Sequence, residues 1–167
     1  MSGEIEVFEY YLSPGYIFVY RKPTAIYTVL GSCVAVSLYD RELKFGGMNH
    51  FLYPFTDNPT ERTSKYGNVA TKVLLSLMLE QGGRQENLVA QIFGGAHSQA
   101  SGSQNIGLEN VSVVKRILDR EGIPVGSQDV GGHMGRKVVY STATNEAVVY
   151  KVDNIRAGDW YPYISKR

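Results

Sequence analysis

The spacing of apolar positions changes period several times along the chain, and each change marks an element. GYIFVYRKPTAIYTVLG (15–31) is dense in aromatic and β-branched residues. Pro14, Gly15 and Pro23 interrupt the pattern, which predicts short strands joined by turns. Residues 33–39 and 46–52 predict two further strands, and the polar NPTERTSKYG segment (58–67) predicts a loop. Between Asn68 and Gln81, Val69, Val73, Leu74, Leu77 and Met78 recur at helical spacing until Gly82-Gly83 ends the pattern. LVAQIF (88–93) is a buried-strand type of run closed by Gly94-Gly95. Asn105 suits the N-cap of a second helix, with Leu108, Val111, Val114, Ile117 and Leu118 on one face and Gly122 as its stop. KVVYSTATNEAVVYKV (137–152) has the pattern of a hairpin turning near Thr144-Asn145.

Strands and helices are therefore mixed, with no internal repeat, no low-complexity segment and no second domain. The expectation is one domain over residues 1–167, with its core at about 8–152 and a C-terminal tail at 157–167. A chain of 167 residues can bury a sufficient core without disulfides or metals. The formal charge of +1 gives no basis for a nucleic-acid groove or a polybasic membrane patch. The acidic start, MSGEIEVFEYY, lacks the basic and apolar regions of a secretory signal. No apolar run approaches the roughly 20 residues needed to span a bilayer, so membrane insertion is not expected. A single cysteine cannot form an internal disulfide and agrees with a reducing compartment. The expected location is the cytoplasm.

That cysteine, Cys33, follows Gly31 and Ser32 at the mouth of a predicted strand. If Arg41 and Glu42 centre a two-residue turn, the following strand brings His50 directly opposite Cys33 on one face of the sheet. A slip of one residue would separate them, and Arg-Glu is poor chemistry for so tight a turn. A thiol paired with an imidazolium is shifted toward thiolate, attacks carbonyl carbon, and has a proton donor at hand for a leaving amine. Gly31 and Ser32 would let the backbone turn sharply, and backbone N–H groups around Cys33 would bind the developing oxyanion. The plainer alternative stands beside this one: free cysteine is commonly a small buried hydrophobe, and His50 an ordinary sheet histidine. Gly94-Gly95 with His97 do not make a phosphate loop, since no G-x-x-x-x-G-K-[ST] is present; close backbone packing beneath the hairpin explains them. His50, His97 and His133 with Asp129 lack the spacing of a metal site, so neither a metal nor another cofactor is expected.

YYLSPGYIFVY, PTAIYTVLGSCVAVSLYD, GGMNHFLYP, IFGGA, NIGLENV and DVGGHMGRKVVYSTATNEA follow one another in an order and spacing that resemble the chemoreceptor glutamine deamidases, the CheD family. The resemblance runs from about residue 8 to 152 and is most specific at T-x-L-G-S-C followed by G-G-M-x-H-x-x-x-P. It implies an α+β fold, a layered β-sandwich of mixed sheets with flanking helices, of cysteine-hydrolase type. It also implies an enzyme that converts glutamine side chains of methyl-accepting chemotaxis receptors to glutamate, releasing ammonia through a cysteine thioester. The nucleophile then falls on Cys33, the base on His50 and the site threonine on Thr28, with Gly31 and Ser32 positioning the oxyanion or substrate. Some relatives carry one more residue between threonine and cysteine, which makes Tyr27 adjacent to the aligned position. Ser37 stands where many carry a second cysteine, and His133 where asparagine is expected; the glycines around His133 suit a turn. The implied partners are the cytoplasmic helices of chemotaxis receptors and a CheC-type phosphatase. Two alternatives remain open: another thiol enzyme, such as a glutamate methylesterase or a transglutaminase, and a non-catalytic binding module.

Overall fold

A computed structural model describes residues 6–98 and 102–155; the tail expected at 157–167 lies outside the described residues. The elements are β1 (Phe8–Tyr11), β2 (Ile17–Tyr20), β3 (Thr24–Leu30), β4 (Val34–Asp40), β5 (Phe45–Asn49), α1 (Gly67–Glu80), β6 (Leu88–Gly94), α2 (Ile106–Arg120), β7 (Val125–Val130), β8 (Gly135–Ser141) and β9 (Ala147–Val152). One sheet has the order β1-β3-β8-β9, the other β2-β5-β4-β6-β7. Both are mixed: β1 runs parallel to β3, and β7 parallel to β6. The fold is α+β, with two facing sheets and both helices packed on the outer face of the five-stranded one.

β4 explains this layering. All of its residues are buried, because its two faces meet different layers. Val34, Val36 and Leu38 join Ala70, Leu74 and Met78 of α1 and Val111, Val114 and Leu118 of α2 in one core. Ala35 on the opposite face joins Met48 and Phe93 against Ile26, Leu30, Val138 and Tyr140 of the four-stranded sheet. A strand buried on both faces reads as a nearly continuous apolar run, as VAVSLYD does. Each large apolar side chain among them (Val, Leu, Ile, Phe or Met) contributes about 1.5–3 kcal/mol on leaving water.

The β4–β5 hairpin differs from the two-residue turn expected from sequence. Asp40 pairs with Phe45, Ser37 with Met48, and an isolated bridge joins Val34 to Phe51. Asp40 causes the longer loop: its Oδ1 accepts hydrogen bonds from the backbone N–H groups of Glu42 (2.9 Å) and Leu43 (2.8 Å). Lys44, with φ of 57°, closes the turn by donating its N–H to the Asp40 carbonyl at 2.8 Å. The register is thus displaced by two residues, which preserves the face of every side chain where a shift of one would have reversed it. Cys33 and His50 are diagonal neighbours on one face instead of direct partners.

The Asn105 cap is present, its side chain accepting from the Leu108 N–H at 3.0 Å. Leu108 itself is 60% exposed and does not belong to the buried face assigned to it. It lines a groove of about 660 Å³ between α1 and α2, with Phe55, Lys72, Arg116 and Arg120. α1 likewise buries Ala70, Thr71, Leu74 and Met78, leaving Val73 exposed, so its core stripe is rotated from the expected one. The 58–67 segment contains a short 3-10 turn at Pro59–Glu61 capped by Asn58. The hairpin near Asn145 forms, with Asn145 at φ of 62°. No helix among the described residues is long and apolar enough to cross a membrane.

Candidate active site

Alternation along three strands brings the candidate residues into the layer between the sheets. Thr28 lies on β3 between the inward-facing Ile26 and Leu30, and Cys33 packs against the same cluster just before β4. His50 follows β5 and shares the face of Met48. Its backbone is held by the turn between β1 and β2, donating N–H to Tyr16 O at 3.1 Å and accepting from Gly15 N–H at 2.8 Å.

Thr28 and His50 are both buried, and Thr28 Oγ1 lies 2.8 Å from His50 Nδ1. The same hydroxyl donates to the Leu12 carbonyl at 2.8 Å. A hydroxyl has one hydrogen, so once that hydrogen serves Leu12 the oxygen can only accept from Nδ1–H. This network assigns the proton of neutral His50 to Nδ1 and leaves Nε2 as the basic nitrogen. Tyr27, the neighbouring position, instead stacks on Tyr11, with ring centroids 5.0 Å apart. The structure joins Thr28 to His50.

The bend carrying Cys33 is fixed through three consecutive carbonyls. Gly31 O accepts from Ala96 N–H (3.0 Å), Ser32 O from Asn110 Nδ2 (2.9 Å), and Cys33 O from Gly95 N–H (2.9 Å). Gly94, which ends β6, and Gly95 after it are thus a close-packing device, as their sequence suggested. Gly94 has φ of 103°, and a Cβ there would overlap the Cys33 carbonyl. Buried Arg136 braces the same region by an ion pair with Asp129 at 3.0 Å and by donating to Gly131 O at 2.8 Å.

Burial shifts both titratable groups toward neutrality. Desolvation pushes the Cys33 thiol up from 9.0 to about 11, opposed by its own backbone N–H. It pulls the His50 imidazole down from 6.5 to about 4, opposed by the Leu12 carbonyl. The expected resting thiolate–imidazolium pair is therefore replaced by neutral thiol and neutral imidazole, since a site walled by two sheets disfavours both charges. A neutral thiol and a neutral imidazole are suited to general-base chemistry, in which an imidazole accepts a thiol proton as the sulfur attacks a carbonyl.

A surface cleft of about 530 Å³ borders the bend, lined by Gly31, Ser32, His97, His133 and Asp153 among others. His133 is exposed beside Gly131 and Gly132, both at positive φ, so it combines the turn position expected of it with a place on the cleft wall. His97 and His133 line this cleft while His50 lies between the sheets, and no metal-binding cluster occurs among the described residues. One residue of this region was not singled out from sequence. Asn110 is fully buried on α2 and donates to Ser32 O and, at 3.0 Å, to Leu52 O. Its signal was an asparagine one position from Val111 on an otherwise apolar helix face.

A thiol on the same sheet face as an imidazole that is bonded to a hydroxyl offers groups that hydrolases with a covalent acyl intermediate use. Comparison with known proteins narrows the class. A family model described as CheD chemotactic sensory transduction matches residues 53–151, a span that begins just after His50. A probable chemoreceptor glutamine deamidase CheD 1 of Anaeromyxobacter dehalogenans is 46% identical over 132 residues, covering 78% of this chain and 77% of that protein. Probable chemoreceptor glutamine deamidases CheD of Trichlorobacter lovleyi and Sulfurimonas denitrificans are 42% and 39% identical, over 81% and 77% of this chain and 86% and 84% of their own. This chain belongs to the CheD family.

Proposed function

We propose that this protein is a chemoreceptor glutamine deamidase, an amide hydrolase that works in the cytoplasm on the helices of methyl-accepting chemotaxis receptors. The named activity of its relatives supports the reaction class. The observation that carries the mechanism is the Thr28–His50 hydrogen bond, because it orients a buried imidazole with Nε2 basic on the sheet face shared with Cys33. Cys33 Sγ attacks the glutamine δ-carbonyl as His50 Nε2 takes the thiol proton. Backbone N–H groups of the Gly31–Ser32–Cys33 bend stabilise the oxyanion. Collapse of the tetrahedral intermediate breaks the C–N bond, and His50 gives its proton to the departing ammonia. Water then attacks the thioester with His50 as base, releasing the glutamate side chain and returning the proton to Sγ. No metal or other cofactor enters this scheme.

The cleft beside the bend suits a substrate that is itself a protein helix, since it is a surface groove. Ammonia release from a purified receptor cytoplasmic fragment, compared between wild type and Cys33→Ala, tests the proposal. Release by wild type alone, with the small mass gain of an amide-to-acid change in the receptor, is expected. Equal release by both proteins would remove Cys33 from the chemistry. A CheC-type phosphatase belongs to the same reading as a second partner, tested by direct binding of the two purified proteins.

A further inference from the structure

The carboxamide of Asn110 sits where α2 meets both halves of the candidate site. One Nδ2 donates to Ser32 O, immediately before the nucleophile, and to Leu52 O, two residues beyond the base. One segment leads into β4 and the other leaves β5, and their last direct backbone link is the Val34–Phe51 bridge. Asn110 adds a second tie on the helix side of that bridge. Its Oδ1 is buried with no hydrogen-bond partner. An unpartnered buried acceptor is unfavourable, so the amide is best explained by what its two donor hydrogens do.

Their effect on the nucleophile follows from peptide geometry. Ser32 C=O and Cys33 N–H belong to one planar trans peptide and point in opposite directions. Fixing the carbonyl on α2 therefore fixes the direction of the Cys33 N–H, the same donor that counters the rise of the thiol pKa. We propose that Asn110 is a positioning residue for acyl transfer: by clamping Ser32 O and Leu52 O it aims the Cys33 N–H as an oxyanion donor and holds the nucleophile bend against the His50 segment. This inference rests on the cysteine mechanism proposed above and adds a residue that acts through the backbone without touching substrate.

Two reactions of the single cysteine separate this role from general structural support. Alkylation by iodoacetamide is displacement at a saturated carbon and develops no oxyanion, whereas acylation by p-nitrophenyl acetate does. Asn110→Leu removes both donors at similar volume; Asn110→Ser is the smaller variant that carries the test if the leucine protein does not fold. With native thermal unfolding as the check on folding, acylation of Cys33 is expected to fall roughly tenfold to a hundredfold, in line with the loss of one oxyanion donor. Both reactions pass through the thiolate, so the ratio of acylation to alkylation rates, which cancels any change in thiolate fraction, is the readout and should fall roughly tenfold or more. Parallel changes in both rates, or none in either, would overturn the assignment. A wild-type protein that is not acylated at Cys33 at all would instead overturn the cysteine mechanism on which it rests. The probe is a small ester, so these outcomes do not depend on whether a receptor is the substrate.

Discussion

The protonation state of Cys33 is the sharpest quantity the site offers, because an ion pair and a neutral pair predict different pH profiles for the same thiol. Burial pushes the thiol from 9.0 to about 11. At pH 7 the thiolate fraction then falls from about one in 10² to about one in 10⁴. A more basic thiolate is more nucleophilic, which returns roughly six- to tenfold of that hundredfold. The net expectation is alkylation at pH 7 roughly ten- to fifteenfold slower than for an unstructured cysteine peptide. The slope is more diagnostic than the absolute rate. Between pH 6 and 9 the rate should climb about tenfold per pH unit with no plateau. Mass spectrometry reads the reaction without ambiguity, since the chain has one cysteine. A plateau at or below pH 7 would refute the reasoning: it would mean that His50 holds the thiolate as an ion pair despite burial. The expected profile places proton transfer to His50 inside the substrate complex, where the developing oxyanion and departing amine supply the charges that the resting site excludes.

Three further outcomes concern His50, Thr28 and Arg136. His50, buried neutral with its pKa lowered from 6.5 to about 4, binds a proton more readily in the unfolded chain across that interval, so stability must fall as pH drops through it. The loss reaches about 3 kcal/mol, and urea unfolding at pH 7 and pH 4 should show it in wild type and not in His50→Gln. Thr28→Val removes the acceptor of Nδ1–H and should lower kcat for ammonia release roughly ten- to a hundredfold while Cys33 stays alkylatable; an unchanged kcat would mean that His50 keeps its tautomer without Thr28. Arg136→Met leaves Asp129 without its closest cation and the Gly131 carbonyl without its side-chain donor, and should cost about 1.5–3 kcal/mol in chemical unfolding.

The Cys33–His50 part of the candidate site was legible in the sequence through periodicity, whereas Thr28 came only from the family resemblance. An alternating run after Cys33 and another ending near His50 require a hairpin, and a hairpin permits only registers that keep or reverse the shared face. Cys33 and His50 could thus be paired without knowledge of topology, and the Asn105 cap and the 137–152 hairpin rested on equally local rules. Where local rules competed, the sequence misled. Asp40 bonding to two backbone amides lengthened the turn and moved the register by two residues. Leu108 continued a helical apolar stripe but is exposed among the described residues. β7, mostly exposed at the edge of its sheet, carries the polar stretch VGSQDV and shows no buried-face pattern.

Only the tertiary structure decided the chemistry of the pair. The hairpin pairing inferred from sequence suggested that an adjacent imidazolium would lower the thiol pKa, but the facing of two sheets across Thr28, Cys33 and His50 desolvates both groups and drives them to neutrality. The hydroxyl that sets the His50 tautomer comes from the opposite sheet, and the amide that fixes the nucleophile bend comes from a helix 78 residues further along the chain. Strand period is a local property that the chain states directly. Dielectric environment and hydrogen bonds between distant segments arise only when layers pack, and here they determine which atom holds the proton.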